Sequence, residues 1–138
     1  MRHLVKVYLL LLPIFLALDY LWLGVLMARF YNRELGALAR RSGESISVVP
    51  WAAAVVYLLI PLGIVLFALP RVSPTNLVAS ALGWGCLYGL VLYGVYDMTN
   101  YSIIGAWSLR LSAADILWGV VLNAAGTLAA ALLDRWLR

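Results

Sequence analysis

The sequence predicts an all-α fold, a polytopic membrane protein built as a bundle of four transmembrane helices with an amphipathic interfacial segment after the first. Three observations carry this. Of 138 residues, 65% are apolar and 12% charged, against about 45–50% and about 25% in a soluble domain. Mean hydropathy is +0.97, and ten Lys/Arg with six Asp/Glu cannot cover that much apolar side chain in water. Four stretches reach the roughly 20 apolar residues that a bilayer crossing needs, and the length fits one domain over residues 1–138.

The first span covers residues 5–27. Arg2 and Lys6 precede a leucine-rich core, as in a secretory signal. The apolar run nevertheless continues past Asp19 through Trp22 and Leu26 with no A-x-A cleavage site, so a retained helix is expected. After it, Met27, Tyr31, Leu35 and Leu38 recur at helical spacing, with Arg29, Arg33 and Arg40 elsewhere around the helix. This reads as an amphipathic segment in the headgroup layer, ending near Ser42-Gly43; an ordinary basic connector fits equally. The second span, 48–69, has Pro50 at its start and is closed by Pro70, and Arg71-Val72-Ser73-Pro74 turns it into the third, 77–96. Spans two and three are therefore expected to form a tight antiparallel pair. Pro13 and Pro61 fall inside spans and read as kinks, which membrane helices tolerate. The fourth span is placed at 113–133, with Ser112-Ala113-Ala114-Asp115 in the form of an N-cap and an acid three residues later. Both termini then lie on one side, and Arg29–Arg41 on the other.

The remaining composition excludes several function classes. Cys86 is the single cysteine and His3 the single histidine, which removes disulfides, zinc knuckles and histidine-based metal sites. The net charge of +4 is spread around the spans and forms no aromatic-interleaved patch, so no nucleic acid is expected. Arg29, Arg33, Arg40 and Arg41 are the candidate contacts for anionic lipid headgroups. Arg2, Lys6, Arg71, Arg135 and Arg138 on one side balance Arg29, Arg33, Arg40, Arg41 and Arg110 on the other. Orientation is thus undecided by the positive-inside rule. The G-x-x-x-G spacing of Gly85 and Gly89 permits close helix approach, within the bundle or across a homodimer seam.

Asp19 carries the most information. An ionisable residue at this depth costs at least about 2.5–3.5 kcal/mol, so it must face protein, water or a partner. Because successive spans alternate in direction, Asp19, Asp97 and Asp115 share one half of the bilayer. Asn100 follows Asp97 by a turn, Asn123 lies two turns beyond Asp115, and Trp107 and Trp118 sit at similar levels. Asp97 is expected to end its span, where it caps a helix starting at Met98 or pairs with Arg110. Asp19-Tyr20-Leu21-Trp22 and Asp115-Ile116-Leu117-Trp118 also echo each other as D-x-L-W.

LDYLWLG (Leu18 to Gly24), the Trp51-Ala52-Ala53-Ala54 run, YDMTNY (Tyr96 to Tyr101), Trp107 and DILWG (Asp115 to Gly119) follow in order the pattern of a known family. The chain resembles the four-helix bacterial membrane proteins catalogued as domain of unknown function 2177, over nearly its whole length. Met98 stands where that family usually has Leu, and Tyr101-Ser102 where it more often has small residues. The resemblance implies four spans and a bacterial cytoplasmic membrane location and marks the same Asp, Asn and Trp positions, without an established activity.

Two readings of the cluster compete most closely. In one, Asp19, Trp22, Asp97, Asn100, Trp107, Asp115, Trp118 and Asn123 line a pocket for a cationic or polar small solute, with proton-coupled transport as its use. In the other, Asp–Asn and Asp–Trp hydrogen bonds clamp the helices. A lipid-active metal enzyme is the weakest class, because each span offers one carboxylate and no catalytic motif is present. Asp19, Asp97 and Asp115 are its candidate ligands, and a hard divalent cation is the one cofactor these residue types admit.

Overall fold

The computed structural model describes residues 2–138. Helix α1 (Arg2–Tyr20) passes into a π-helical turn at Leu21–Leu26, followed by the short helix α2 (Ala28–Leu35). A 3-10 turn at Gly36–Leu38 leads to a two-stranded antiparallel hairpin, β1 (Arg41–Ser42) and β2 (Ser45–Ile46), with Arg41 opposite Ile46. Helix α3 (Pro50–Gly63) widens into a second π turn at Ile64–Ala68 and closes in a 3-10 turn at Leu69–Arg71. Two long helices, α4 (Leu77–Ile103) and α5 (Leu109–Leu137), complete the chain. The four apolar helical segments Arg2–Leu26, Pro50–Arg71, Leu77–Ile103 and Leu109–Leu137 are each long enough to cross a bilayer.

The local reasons are legible. Val49 is extended, as the residue before a proline prefers, and Pro50 starts α3 where its missing N–H costs nothing. The i→i+5 bonds from Met27 N–H to Trp22 C=O, and from Leu69 N–H to Ile64 C=O, define the two wide turns. The amphipathic helix stops at Leu35, seven residues before the expected Ser42. Gly36 turns the chain with φ +48, in the region that glycine adopts without strain. Arg41 then secures the stop by donating to the Gly36 and Asn32 carbonyls at 2.7 and 2.9 Å. Arg41 is therefore tied to the turn at Gly36 while its side chain stays exposed.

Two other boundaries differ in ways that matter. Helix α4 runs seven residues past Tyr96, so Asp97 lies inside the helix and neither caps a new one nor pairs with Arg110. Helix α5 begins at Leu109, with the Ser108 hydroxyl accepting from Leu111 N–H at 3.2 Å. Ser108 and Ser112 are chemically equal caps; Ser108 takes the role, with its hydroxyl donating to Glu34 Oε2 at 2.7 Å, and Ser112 is engaged by Trp107. Its indole N–H donates to Ser112 Oγ at 3.0 Å. Asp115 is thereby carried beyond the first turn, where the helix dipole no longer accounts for it.

The closest packing joins α4 to α5, and spans two and three meet mainly at the Ile64–Arg71 end of span two. Glycine explains this. A Cβ on Gly89 would stand 2.2 Å from the Gly119 carbonyl oxygen, and one on Gly85 would stand 2.5 Å from that of Asn123. The G-x-x-x-G spacing thus serves an intramolecular crossing. Gly85 and Gly89 are buried in it, which corrects their assignment to a dimer seam. On α1 the buried positions Val7, Leu11, Phe15 and Asp19 recur every four residues, and the first three join Ile64, Val65 and Leu122 in the core. His3 Nε2 meets Asp134 Oδ1 at 2.6 Å, so the two chain ends lie together, opposite α2 and the hairpin.

Candidate functional site

The four-residue repeat that buries Val7, Leu11 and Phe15 also turns Asp19 inward, leaving it 6% exposed. Both carboxylate oxygens are satisfied from other spans. Tyr57 O–H on α3 donates to Oδ2 at 2.7 Å, and Trp118 Nε1–H on α5 donates to Oδ1 at 2.8 Å. Hydrogen bonds to a charged acceptor contribute about 1.5–3 kcal/mol each. Two of them therefore offset the roughly 2.5–3.5 kcal/mol of intramembrane burial.

The Trp118 indole stacks on Trp22, with centroids 4.5 Å apart and planes 4° from parallel. Trp22 Nε1–H in turn donates to the Tyr31 oxygen at 3.2 Å, and Tyr31 O–H donates to Asp115 Oδ1 at 2.7 Å. The D-x-L-W echo thus meets in space. Each aspartate is served from the opposite half, Asp19 by Trp118 directly and Asp115 by Trp22 through Tyr31. Burial and the Asp115 charge push the Tyr31 phenol well above its usual range, so it stays a proton donor in alkaline solution as well.

Asp97 stands beside Asp115 on the adjoining helix, near Ser112 and Trp107. It is fully buried, and neither of its oxygens has a hydrogen-bond partner among the described residues. Trp107 also packs edge-on against Tyr96 at 6.1 Å. Of the remaining polar residues, Asn123 separates from this group. Asn123 is fully buried deeper in the α4–α5 crossing, where its Nδ2 donates to the Gly119 carbonyl at 2.7 Å. Asn100, in the last turn of α4, uses its backbone carbonyl to accept from Ile104 N–H.

A cavity of about 600 Å³ opens beside the network, bounded by the first π turn, α2, the hairpin and α5. Tyr31, Tyr57, Tyr96, Trp107 and Asp115 line it together with apolar side chains such as Leu23 and Ile46. Asp115 is its single charged wall residue. Asp19, Trp22, Asp97, Asn100, Trp118 and Asn123 are not among its wall residues. Among the described residues no three His, Cys, Asp or Glu side chains gather as metal ligands. Asp115 neighbours both Asp19 and Asp97.

Two members of the network, Tyr31 and Tyr57, are not singled out by sequence, where Tyr31 belongs to an amphipathic face and Tyr57 to an apolar span. The available signal for Tyr57 is a phenol in that span, whose hydroxyl needs a partner when buried. Tyr31 offers no such signal, because its partner is 84 residues away.

The family described as "predicted membrane protein (DUF2177)" matches residues 4–132, and the chain belongs to it. No curated protein matches the chain. No solved structure matches it either.

Proposed function

We propose that this member of the DUF2177 membrane-protein family binds an organic cation with an apolar portion in the cavity beside Asp115. Binding there serves proton-coupled transport across the bacterial cytoplasmic membrane. The observation that carries the proposal is a lone carboxylate in an aromatic-walled cavity of about 600 Å³, a size typical of small-molecule sites. Tyr31 donates to Oδ1 of that carboxylate, which fixes its orientation at the cavity wall. Tyr96 and Trp107 supply ring faces of the kind that attract ammonium groups within about 6 Å. Asp97 supports the proton half of the proposal, as a buried carboxyl without a partner next to the binding carboxylate.

Asp19 has a different role. Its oxygens are saturated by Tyr57 and Trp118, which favours the helix-clamp interpretation for this residue and moves the ligand-sensing charge to Asp115.

Titrating the purified protein with benzyltrimethylammonium, followed by tryptophan fluorescence, tests the binding. Wild-type protein and Asp19→Asn should show saturable quenching, and Asp115→Asn should show none. Equal binding of neutral neopentylbenzene, or undiminished binding by Asp115→Asn, would refute the cation site. In proteoliposomes an imposed pH gradient should drive uptake of the same probe, and failure of that arm alone would leave a binding protein and remove transport.

A further inference from the structure

A second cavity, of about 750 Å³, lies at the opposite end of the bundle, where all four spans meet. Leu4 of α1, Leu69 and Val72 of the turn after span two, and Leu77 at the start of α4 form an apolar floor. Asp134 and Arg135 of α5, and Arg138 just past its end, supply the charged part of the wall. The charge at this end is one-sided: Arg2, Lys6, Arg71, Arg135 and Arg138 face a single acid, Asp134. That acid is already engaged, by His3 at 2.6 Å and by Arg138 at 2.9 Å. Arg71 is also occupied, donating to the Phe67 carbonyl and lying 5.6 Å from the Trp84 ring centroid. Arg135 forms no ion pair among the described residues.

From this we infer that the cavity is a binding site for an anionic phospholipid, its phosphate held between Arg135 and Arg138 and the upper acyl chain laid on the Leu4–Leu77 floor. An excess of arginine over a cavity between transmembrane helices is the chemistry that selects acidic headgroups from zwitterionic ones. The apolar floor separates a lipid from a soluble phosphate, because a free anion gains nothing from leucine. The residues differ from those of the Asp115 cavity, so the inference stands without the proposed function.

The test uses the full chain in mixed micelles with equal phosphatidylglycerol and phosphatidylcholine, and native mass spectrometry reads the lipid retained. Wild-type protein should retain phosphatidylglycerol preferentially. Each of Arg135→Gln and Arg138→Gln should lower that preference by about fivefold. Arg110→Gln at the other end, exposed and outside the candidate headgroup contacts, should leave it unchanged. Arg135 and Arg138 are both exposed, so their substitution leaves the core intact, and helix content by circular dichroism checks this. Leu77→Trp, which crowds the floor without altering charge, should weaken retention of both lipids. Preference surviving the double arginine variant would overturn the site, as would equal retention of the two lipids by wild-type protein. Displacement of the lipid by millimolar glycerol 3-phosphate would overturn the assignment to lipid.

Discussion

The two ends of the bundle solve the problem of polar groups near a membrane in opposite ways. At the α2 end, aspartates on α1 and α5 are served by neutral donors, Tyr57, Trp118 and Tyr31, within an aromatic stack. At the terminal end, Asp134 is met by His3 and the Arg138 cation in a partly exposed setting. The difference follows from dielectric. A buried carboxylate gains most from hydrogen bonds that desolvate no second ion, whereas one at the interface can use ion pairs that water weakens. Between the two ends the α4–α5 crossing relies on backbone contact through Gly85, Gly89 and Gly119.

The largest expected effect comes from breaking the crossing that holds both ends in register. Gly89→Leu forces a side chain into the Gly119 backbone and should cost at least the upper part of the usual range of about 1–3 kcal/mol for overpacking, seen as loss of a monodisperse detergent-solubilised species. Gly83→Ala, on the same helix with open space around it, should leave the unfolding transition in place or raise it, by up to about 1 kcal/mol. Next is Asp19→Ala, which strands the Tyr57 hydroxyl and the Trp118 N–H. A destabilisation of about 2–3 kcal/mol is expected in denaturant titration. A value near zero would contradict the clamp. Tyr57→Phe removes one of the two donors and should cost about 1–2 kcal/mol, with Trp118 still bonded and the indole environment unchanged by near-ultraviolet circular dichroism. The smallest effect belongs to the terminal end. Asp134→Asn should change stability by less than about 1 kcal/mol, as expected for a partly solvated pair. If it exceeded Asp19→Ala, the contrast between the two ends would be reversed.

Part of this contrast is legible in the order of residues. The position of Asp19 in an unbroken apolar run requires an inward-facing partner, and counting span directions places Asp97 and Asp115 in the same half of the bilayer. The identity of the partners is not legible there, because Tyr57 and Trp118 come from different spans and their rotational phase is set by packing. Ser108 and Ser112 show the same limit locally. Both suit a helix cap by chemistry, and their distant or neighbouring partners, Glu34 for Ser108 and Trp107 for Ser112, appear only in the fold. Gly85 and Gly89 announce a close approach, but only the placement of Gly119 and Asn123 against them shows that the approach is within one chain.

Hydropathy, span length and the depth of the acids were determined by the sequence alone, because the cost of placing apolar surface in water or charge in lipid depends on residue type and local order. The tertiary structure decided which donors satisfy Asp19, that the two D-x-L-W tryptophans stack on each other, and that Asp115 rather than Asp19 faces a cavity. Those outcomes depend on helix rotation and crossing, and these are fixed by interlocking small residues and wide π turns across the whole bundle. No single stretch of sequence carries that information, since each contact needs the phase of two helices at once.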